Sequence, residues 1–160
     1  MDSIIGSAVP ATMSFMGCDP STGACTKQEC EVPTYNRETE VLIRVTATGV
    51  NRLDLVQSKG KVPPPPGASR IIGIECVGYL VDAETNTVSN RRVMALLTGG
   101  GYAQFTAVHK DHLIDIPDAL TFEDAAAIME QWCTAYQLLY KVGHINKGDT
   151  VLIHAAAAGV

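Results

Sequence analysis

Residues 71 to 81 read IIGIECVGYLV, an apolar and β-branched run that contains Gly73 and Gly78. Such a run is typical of a strand, and glycines within it indicate a bulge or a close backbone approach. Residues 40 to 50 read EVLIRVTATGV and alternate in polarity, as a half-buried strand does. Three more short strands are predicted at RVMALL (92–97), YAQFTAV (102–108) and HLIDIP (112–117). Short strands punctuated by Gly and Pro predict a barrel or a sandwich.

Helical patterns flank these strands. Asn51 is placed to cap a short helix, RLDLVQSK, which Gly60 would end. A longer helix is predicted from Thr121 to Tyr140, because TFED resembles a capping box and the following segment is rich in alanine. Residues 150 to 154, TVLIH, read as a parallel strand covered on both faces. The first 38 residues are a loose segment with one hairpin expected at Thr22 and Gly23.

Composition limits the function classes. The chain has 160 residues, 46% of them hydrophobic, which is enough to build a core without staples. Its net charge is −5 and it contains no basic run, so nucleic acid is not expected as a partner. No apolar stretch reaches the roughly 18 residues of a membrane helix, and the N-terminus lacks a basic signal segment. We therefore expect a cytoplasmic protein with no membrane partner.

The five cysteines support the same expectation. An odd number in a chain of this size favours reduced thiols. Cys18, Cys25 and Cys30 cluster, but their spacing matches no usual zinc pattern and no histidine lies near them in the sequence. The sequence therefore predicts no metal site in this cluster.

The last segment, TVLIHAAAAGV (150–160), is a predicted strand followed by a turn of small residues. In nucleotide-binding folds such a turn lets the backbone approach a pyrophosphate. An apolar strand that runs into alanines is also common in a simple core. This segment alone therefore leaves nucleotide binding open.

Five motifs follow one another in a specific order: GVNRLDLVQSKGKVPPPPGAS (49–69), IIGIECVG (71–78), RVMALLTGGGYAQF (92–105), HLIDIPDALTFEDAAAI (112–128) and KGDTVLIHAAAAGV (147–160). In this order and spacing they resemble the N-terminal half of the medium-chain dehydrogenase/reductase superfamily. More narrowly, they look like the zeta-crystallin-like quinone oxidoreductases.

This resemblance implies a mixed α+β fold, in which a GroES-like partial β-barrel precedes the first strand of a truncated Rossmann domain. Residues 1 to 122 would be the GroES-like catalytic domain, although residues 1 to 38 match poorly. Residues 123 to 149 would be linking helices, and residues 150 to 160 would begin the nucleotide-binding domain. NADPH would lie in the cleft between the two domains.

The resemblance also bears on metal chemistry. Zinc alcohol dehydrogenases place a Cys where this chain has Asn51, a His-Glu pair at Ile74 and Glu75, and a second Cys at Glu130. The remaining groups do not make a tetrahedral N/S site, so no catalytic zinc is expected. Without a Lewis acid, electron-poor quinones and enones are favoured as hydride acceptors over plain carbonyls.

The resemblance further implies roles for individual residues. Asn51 would be the catalytic hydrogen-bond donor facing the nicotinamide, with a simple helix cap as the alternative. Thr134 would bind the cofactor, or would only bond within its own helix. Tyr102 and Val62 would line the substrate pocket, although the glycines before Tyr102 also fit a plain hairpin turn. The remaining cofactor contacts would come from Ala155, Ala156, Ala157, Ala158 and Gly159.

We therefore predict an NADPH-dependent, zinc-independent quinone oxidoreductase that acts on a small-molecule quinone or enone. The chain is expected to be part of a longer protein, to be inactive by itself and to form a homodimer at full length. One alternative is an enoyl or 2-alkenal reductase of the same superfamily. The other is a non-enzymatic interaction role for an isolated GroES-like domain.

Overall fold

The computed structural model describes residues 4 to 160. Seven strands, three α-helices, one 3₁₀ turn and one π turn follow along this part of the chain. They are β1 (Thr12–Cys18), β2 (Cys25–Glu31), β3 (Glu40–Ala47), α1 (Arg52–Gln57), β4 (Glu75–Asp82), β5 (Thr87–Leu96), β6 (Phe105–His109), a 3₁₀ turn (Lys110–His112), β7 (Leu113–Asp115), α2 (Phe122–Ala125), α3 (Met129–Tyr136) and a π turn (Gln137–Val142).

Five strands form one antiparallel sheet in the order β6-β3-β4-β5-β7. The sheet curls into a half-barrel, so the predicted mixed α+β class with a partial barrel is confirmed. The central strand β4 begins at Glu75, four residues later than the apolar run that predicted it. Glu75 is therefore the first residue of the most enclosed strand.

Gly78 marks a close backbone approach, as its place in the strand predicts. A Cβ at this position would collide with the carbonyl oxygen of Arg44 on β3. The register of β3 against β4 shifts between Val45 and Ala47, just beside Gly78. The predicted combination of a glycine with a bulge or a close approach is confirmed here.

The hairpin expected at Thr22 and Gly23 is present as β1 and β2. Gly23 has φ +74°, the left-handed conformation that a glycine adopts without strain. The register places Cys18 directly opposite Cys25, with Cα atoms 4.0 Å apart, and the two are joined by a disulfide. The expectation that all five cysteines are reduced is therefore wrong in this structure, because hairpin pairing brings together two cysteines that lie seven residues apart.

The predicted helix from Thr121 to Tyr140 is broken. Thr121 caps its start as expected, because its hydroxyl accepts a hydrogen bond from the backbone N–H of Asp124 at 3.1 Å. The first segment, α2, ends at Ala125, and α3 begins only at Met129. The backbone N–H of Glu130, in the first turn of α3, donates to the Glu75 carboxylate instead of to a helix carbonyl.

Residues 150 to 154 do not form the predicted strand. Val151, Leu152 and Ile153 are exposed, Leu152 to 81%. A parallel strand needs neighbours for its hydrogen bonds, and the described part of the chain places no strand beside this segment. The apolar pattern of residues 150 to 154 is therefore not enough to form a paired strand.

The sheet is joined to the helices by one apolar cluster. It contains Val77, Met94, Ile116, Ala125, Ala126 and Met129, all buried. This packing fixes the start of α3 against the first residues of β4. The candidate site lies at this junction.

Candidate functional site

A buried carboxylate lies at the centre of the site. Glu75 is 1% exposed, and its two oxygens accept hydrogen bonds from two different elements. Oε1 accepts from the side-chain Nδ2 of Asn51 at 2.7 Å, and Oε2 accepts from the backbone N–H of Glu130 at 3.0 Å. Two donors compensate part of the cost of burying this group.

Asn51 occupies the N-cap position of α1 and is 9% exposed. Its backbone N–H donates to Asp54 Oδ2 at 2.8 Å, which secures the first turn of the helix. Its side-chain nitrogen carries two hydrogens, and the bond to Glu75 uses one of them. The residue thus has the backbone role of a helix cap, while its amide nitrogen retains a second hydrogen for another acceptor.

Tyr102 and Asp54 form a second pair beside Asn51. The Tyr102 hydroxyl donates to Asp54 Oδ2 at 3.1 Å, and Asp54 is 1% exposed. Burial first, and then the negative charge of Asp54, raise the pKa of the Tyr102 phenol well above its usual range. Tyr102 therefore stays protonated and acts as a donor.

Tyr102 also lines an open cavity of about 520 Å³. This volume lies within the range of small-molecule sites. Its walls come from the β1–β2 hairpin, the end of β3 and the loop that leads into β6. They include apolar groups of Phe15, Met16, Val45, Ala47, Val50 and Ala103.

Thr134 is connected to the same cluster through Glu130. Its hydroxyl donates to Glu130 Oε1 at 3.1 Å, one turn earlier in α3, and Glu130 in turn bonds to Glu75 through its backbone. The structure therefore links Asn51, Tyr102 and Thr134 through three carboxylates. The Thr134 hydroxyl therefore bonds within its own helix, but to the Glu130 side chain and not to a backbone carbonyl.

The predicted cofactor loop, residues 155 to 159, packs beside α3 and away from the Glu75 cluster. Residues 154 to 157 form a turn in which Ala155 has φ +53°, and the N–H of Ala158 donates to the Ala155 carbonyl at 2.8 Å. Ala156, Ala158 and Gly159 line a cavity of about 400 Å³ together with residues of α3 that include Gln131. Ala155 and Ala157 do not line that cavity.

Val62 is not brought to the cluster. It is 40% exposed and does not line the cavity that contains Tyr102. It lies just before the four prolines, outside any helix or strand. The structure therefore places one of the two predicted pocket residues, Tyr102, at a cavity wall beside the cluster.

Sequence reasoning gave no role to two central groups, Glu75 and Asp54. Glu75 drew attention only as the partner of a replaced histidine. The available signal was a lone acidic residue inside the apolar run IIGIECVG, because an ionised group in a buried strand requires partners. Asp54 carried a weaker signal, three residues after a helix cap.

Two general properties concern the described residues as a set. No helix between residues 4 and 160 is long and apolar enough to cross a membrane. Within the same range, no three side chains of His, Cys, Asp or Glu gather as a metal-binding group.

Comparison with known proteins places this geometry in context. The alcohol dehydrogenase GroES-like domain matches residues 37–118. The mouse synaptic vesicle membrane protein VAT-1 homolog-like is 34% identical over 125 residues, which cover 76% of this chain and 30% of that protein. The chain thus spans about a third of the length of this relative.

Solved structures share the fold. The human synaptic vesicle membrane protein VAT-1 homolog-like protein superposes with a TM-score of 0.78 at 28% identity, covering 92% of this chain and 49% of that one. The mycobacterial protein Rv1454c, solved in complex with NADPH, gives 0.72 at 27%, covering 90% and 45%.

Two further structures are similar in fold alone. The quinone oxidoreductase of Coxiella burnetii has a TM-score of 0.73 at 22% identity, with coverage of 90% and 49%. CurK enoyl reductase has a TM-score of 0.79 at 24% identity, with coverage of 94% and 48%.

Proposed function

Because the chain belongs to the family of alcohol dehydrogenase GroES-like domains, within the medium-chain dehydrogenase/reductase superfamily, we propose that it forms the acceptor-binding half of an NADPH-dependent oxidoreductase. The acceptors we propose are quinones and related electron-poor compounds, reduced without zinc. The observation that carries this proposal is the donor set around Glu75, where an asparagine amide and a backbone N–H bond to a buried carboxylate at positions where the resemblance places zinc ligands.

The residues at the three positions of the family's zinc ligands do not fit a metal. Ile74 has an alkyl side chain and cannot coordinate. The Asn51 amide donates to Glu75, and the Glu130 carboxylate accepts from the Thr134 hydroxyl. A tetrahedral zinc site requires sulfur, nitrogen or carboxylate ligands that converge on one point, and this arrangement provides no such set. The chemistry of these side chains supports a zinc-independent reaction.

The residues proposed to hold NADPH are Thr134 and the segment from Ala155 to Gly159. Their small side chains leave the backbone accessible beside α3, which suits the approach of a pyrophosphate. Bound NADPH would supply a hydride from its nicotinamide ring. The similar mycobacterial structure in complex with NADPH adds support.

The acceptor is proposed to lie between this cofactor and the barrel edge. Asn51 would donate its second amide hydrogen to an acceptor carbonyl and so stabilise the negative charge that hydride addition creates there. The apolar cavity beside Tyr102 would take the ring, and Val62 would approach it only after a movement of its loop. Tyr102 would position Asp54 and α1 through its hydroxyl hydrogen bond, and it would keep its phenolic proton.

Further parts of the proposal concern the whole protein. We propose residues 1 to 122 as the catalytic domain, 123 to 149 as a linker and 150 to 160 as the start of the nucleotide-binding domain. We further propose a cytoplasmic homodimer, and we expect the 160-residue chain alone to be inactive. A single wall of the cleft cannot exclude water or orient two reactants.

The test compares acceptors in the presence of NADPH. Protein produced from the whole reading frame is assayed with a benzoquinone and with a 2-alkenal, before and after treatment with EDTA. We expect faster reduction of the quinone and no loss after chelation. Faster reduction of the 2-alkenal would instead support an enoyl or 2-alkenal reductase, and loss after chelation would contradict a zinc-free site. If neither this protein nor residues 1 to 160 bind NADPH saturably, the proposal fails and a non-enzymatic GroES-like module is favoured.

A further inference from the structure

The Glu75 carboxylate connects two helices that are separate in sequence. Asn51 begins α1, and Glu130 lies in the first turn of α3. Both donate to this one buried group, at 2.7 and 3.0 Å. A carboxylate with no proton accepts at both oxygens, so it can satisfy two donors at once.

The carboxylate has little freedom to move. A Cβ at Gly49 would overlap Glu75 Oε1 and lie 3.1 Å from the carbonyl oxygen of Ala126. The backbone carbonyl of Glu75 is held by the Thr48 hydroxyl at 2.6 Å. A Cβ at Gly101 would lie 2.6 Å from that same carbonyl oxygen. Two glycines therefore allow the surrounding backbone to close around Glu75.

This arrangement determines which way the Asn51 amide points. If the amide flipped, its carbonyl oxygen would face a carboxylate oxygen, and two acceptors at this distance repel each other. The bond therefore fixes the nitrogen toward Glu75. The negative charge also lies at the N-terminal end of α3, where the helix dipole favours an anion.

We propose that Glu75 is the positioning residue of this site, and that it sets both the orientation of the Asn51 amide and the docking of the helix that carries Thr134. The inference rests on the proposed function only where it assigns Asn51 a role toward the acceptor. The hydrogen-bond part is independent of any reaction.

A double-mutant cycle tests the hydrogen-bond part. Glu75→Gln replaces one of the two carboxylate oxygens with an amide nitrogen, which donates and does not accept. One of the two hydrogen bonds, from the Asn51 amide or from the Glu130 N–H, is therefore lost. Asn51→Asp keeps a good helix cap but places two carboxylates in contact. When Asn51→Asp and Glu75→Gln are combined, the nitrogen of the introduced glutamine can donate to the introduced aspartate, while the glutamine oxygen accepts from the Glu130 N–H.

Urea unfolding of residues 1 to 160 and its variants is the first measurement. We expect each single substitution to lower the midpoint, and the double variant to recover most of that loss. Should a single variant fail to fold, a folded double variant still reports the rescue. Strictly additive losses, or a double variant that does not fold, would overturn the proposal.

Two further readouts separate positioning from mere stability. In ¹⁵N–¹H spectra, the Asn51 side-chain signals should shift in Glu75→Gln, and unchanged signals would contradict the assigned bond. In protein from the whole reading frame, Glu75→Gln should lower kcat for the quinone by roughly 10- to 100-fold with little change in KM for NADPH. The double variant should regain stability but not kcat, because an aspartate in place of Asn51 has no amide hydrogen to donate.

An unchanged kcat in Glu75→Gln would refute the positioning role even if the stability cycle succeeds. Absence of any NADPH-dependent reduction by the unsubstituted protein would instead refute the proposed function. In that case the unfolding cycle and the amide signals still test the hydrogen bonds by themselves. The two failures are therefore distinguishable.

Discussion

At the level of single residues, the candidate site is a network of hydrogen-bonded polar groups around the buried side chains of Asn51, Asp54 and Glu75. Tyr102 donates to Asp54, Asn51 donates to both Asp54 and Glu75, and Glu130 donates to Glu75. Asp54 Oδ1 is a buried oxygen without a partner in the described part of the chain. Removing one donor from such a network leaves an acceptor that costs more than the bond itself was worth.

Tyr102→Phe tests this network. The substitution keeps the ring and removes one donor from Asp54, so we expect a loss of about 1 to 3 kcal/mol in the free energy of unfolding. Tyr136→Phe, on a half-exposed ring, is the matched control and should change stability by less than about 0.5 kcal/mol. Equal effects of the two substitutions in urea unfolding would contradict a role for the phenol.

The same tyrosine predicts a dependence on alkaline pH. Its pKa is raised in the folded state, by burial and by Asp54, so above about pH 10 the unfolded chain releases this proton first. The folded state then holds more protons, and the free energy of unfolding falls as the pH rises. Unfolding measured from about pH 8 to 11 should show a shallower fall in Tyr102→Phe than in the unsubstituted protein. Identical slopes would contradict the shifted phenol.

Gly49 is a second test at this level. Gly49→Ala inserts a methyl group against the Glu75 carboxylate, with backbone on the other side, so we expect a loss of about 1 to 3 kcal/mol. Gly17→Ala is the control, since its methyl group would meet only the movable end of the Gln28 side chain. It should cost less than about 1 kcal/mol in the same urea titration. A Gly49→Ala variant as stable as the control would show that Glu75 has room to move.

At the level of elements, the β1–β2 hairpin forms one wall of the cavity and is attached to the loop that holds Tyr102. The N–H of Met16 donates to the Tyr102 carbonyl at 2.9 Å, and the N–H of Gln104 donates to the Ser14 carbonyl at 3.0 Å. The disulfide between Cys18 and Cys25 closes the far end of this hairpin. A disordered hairpin would therefore remove one wall of the cavity.

Thiol counting checks the disulfide. In denaturant without reductant, we expect three reactive thiols, Cys30, Cys76 and Cys133, and five after reduction. Before denaturation Cys76 should not react, because burial raises its pKa to about 12. Cys18→Ser with Cys25→Ser should cost about 2 to 3 kcal/mol, whereas the exposed Cys133→Ser should cost little. Five reactive thiols without reductant would mean that the pair is reduced in the isolated protein.

At the level of the whole molecule, the barrel is well packed while the C-terminal part exposes apolar side chains. Trp132 is 67% exposed, and other large residues of this part are similarly exposed, among them Tyr136, Tyr140, Val142 and Leu152. The cavity of about 400 Å³ between α3 and residues 153 to 160 is lined mainly by apolar side chains, among them Trp132 and Tyr136. A contiguous apolar surface of this kind is typical of an interface.

Trp132 provides the measurement for this surface, because it is the only tryptophan in the chain. In residues 1 to 160 we expect emission typical of a water-exposed indole and strong quenching by acrylamide. In protein from the whole reading frame, the emission of Trp132 is taken as the difference from the Trp132→Phe variant, and if a nucleotide-binding half covers this face, quenching of that emission should be clearly weaker. Equal quenching in both proteins would indicate that the face stays open to water.

Local sequence was sufficient to predict where most strands of the barrel lie, although the start of β5 at Thr87 was not predicted. The alternation at 40 to 50 and the capping threonine at 121 each act through their own backbone or their immediate neighbours, so no distant partner had to be known. Attention to Asn51 and Tyr102 came from the resemblance to a family, and the structure brings both residues to one cluster.

Three other features depend on how the folded chain brings distant segments together. Nothing between Ala126 and Ile128 would end a helix locally, yet the helix breaks where the Glu130 N–H turns to Glu75, 55 residues away. The strand predicted at 150 to 154 has no neighbour to pair with in the described residues, and Cys18 meets Cys25 only through the hairpin register. Such partners are distant along the chain or set by strand pairing, and their positions exist only after the chain has folded.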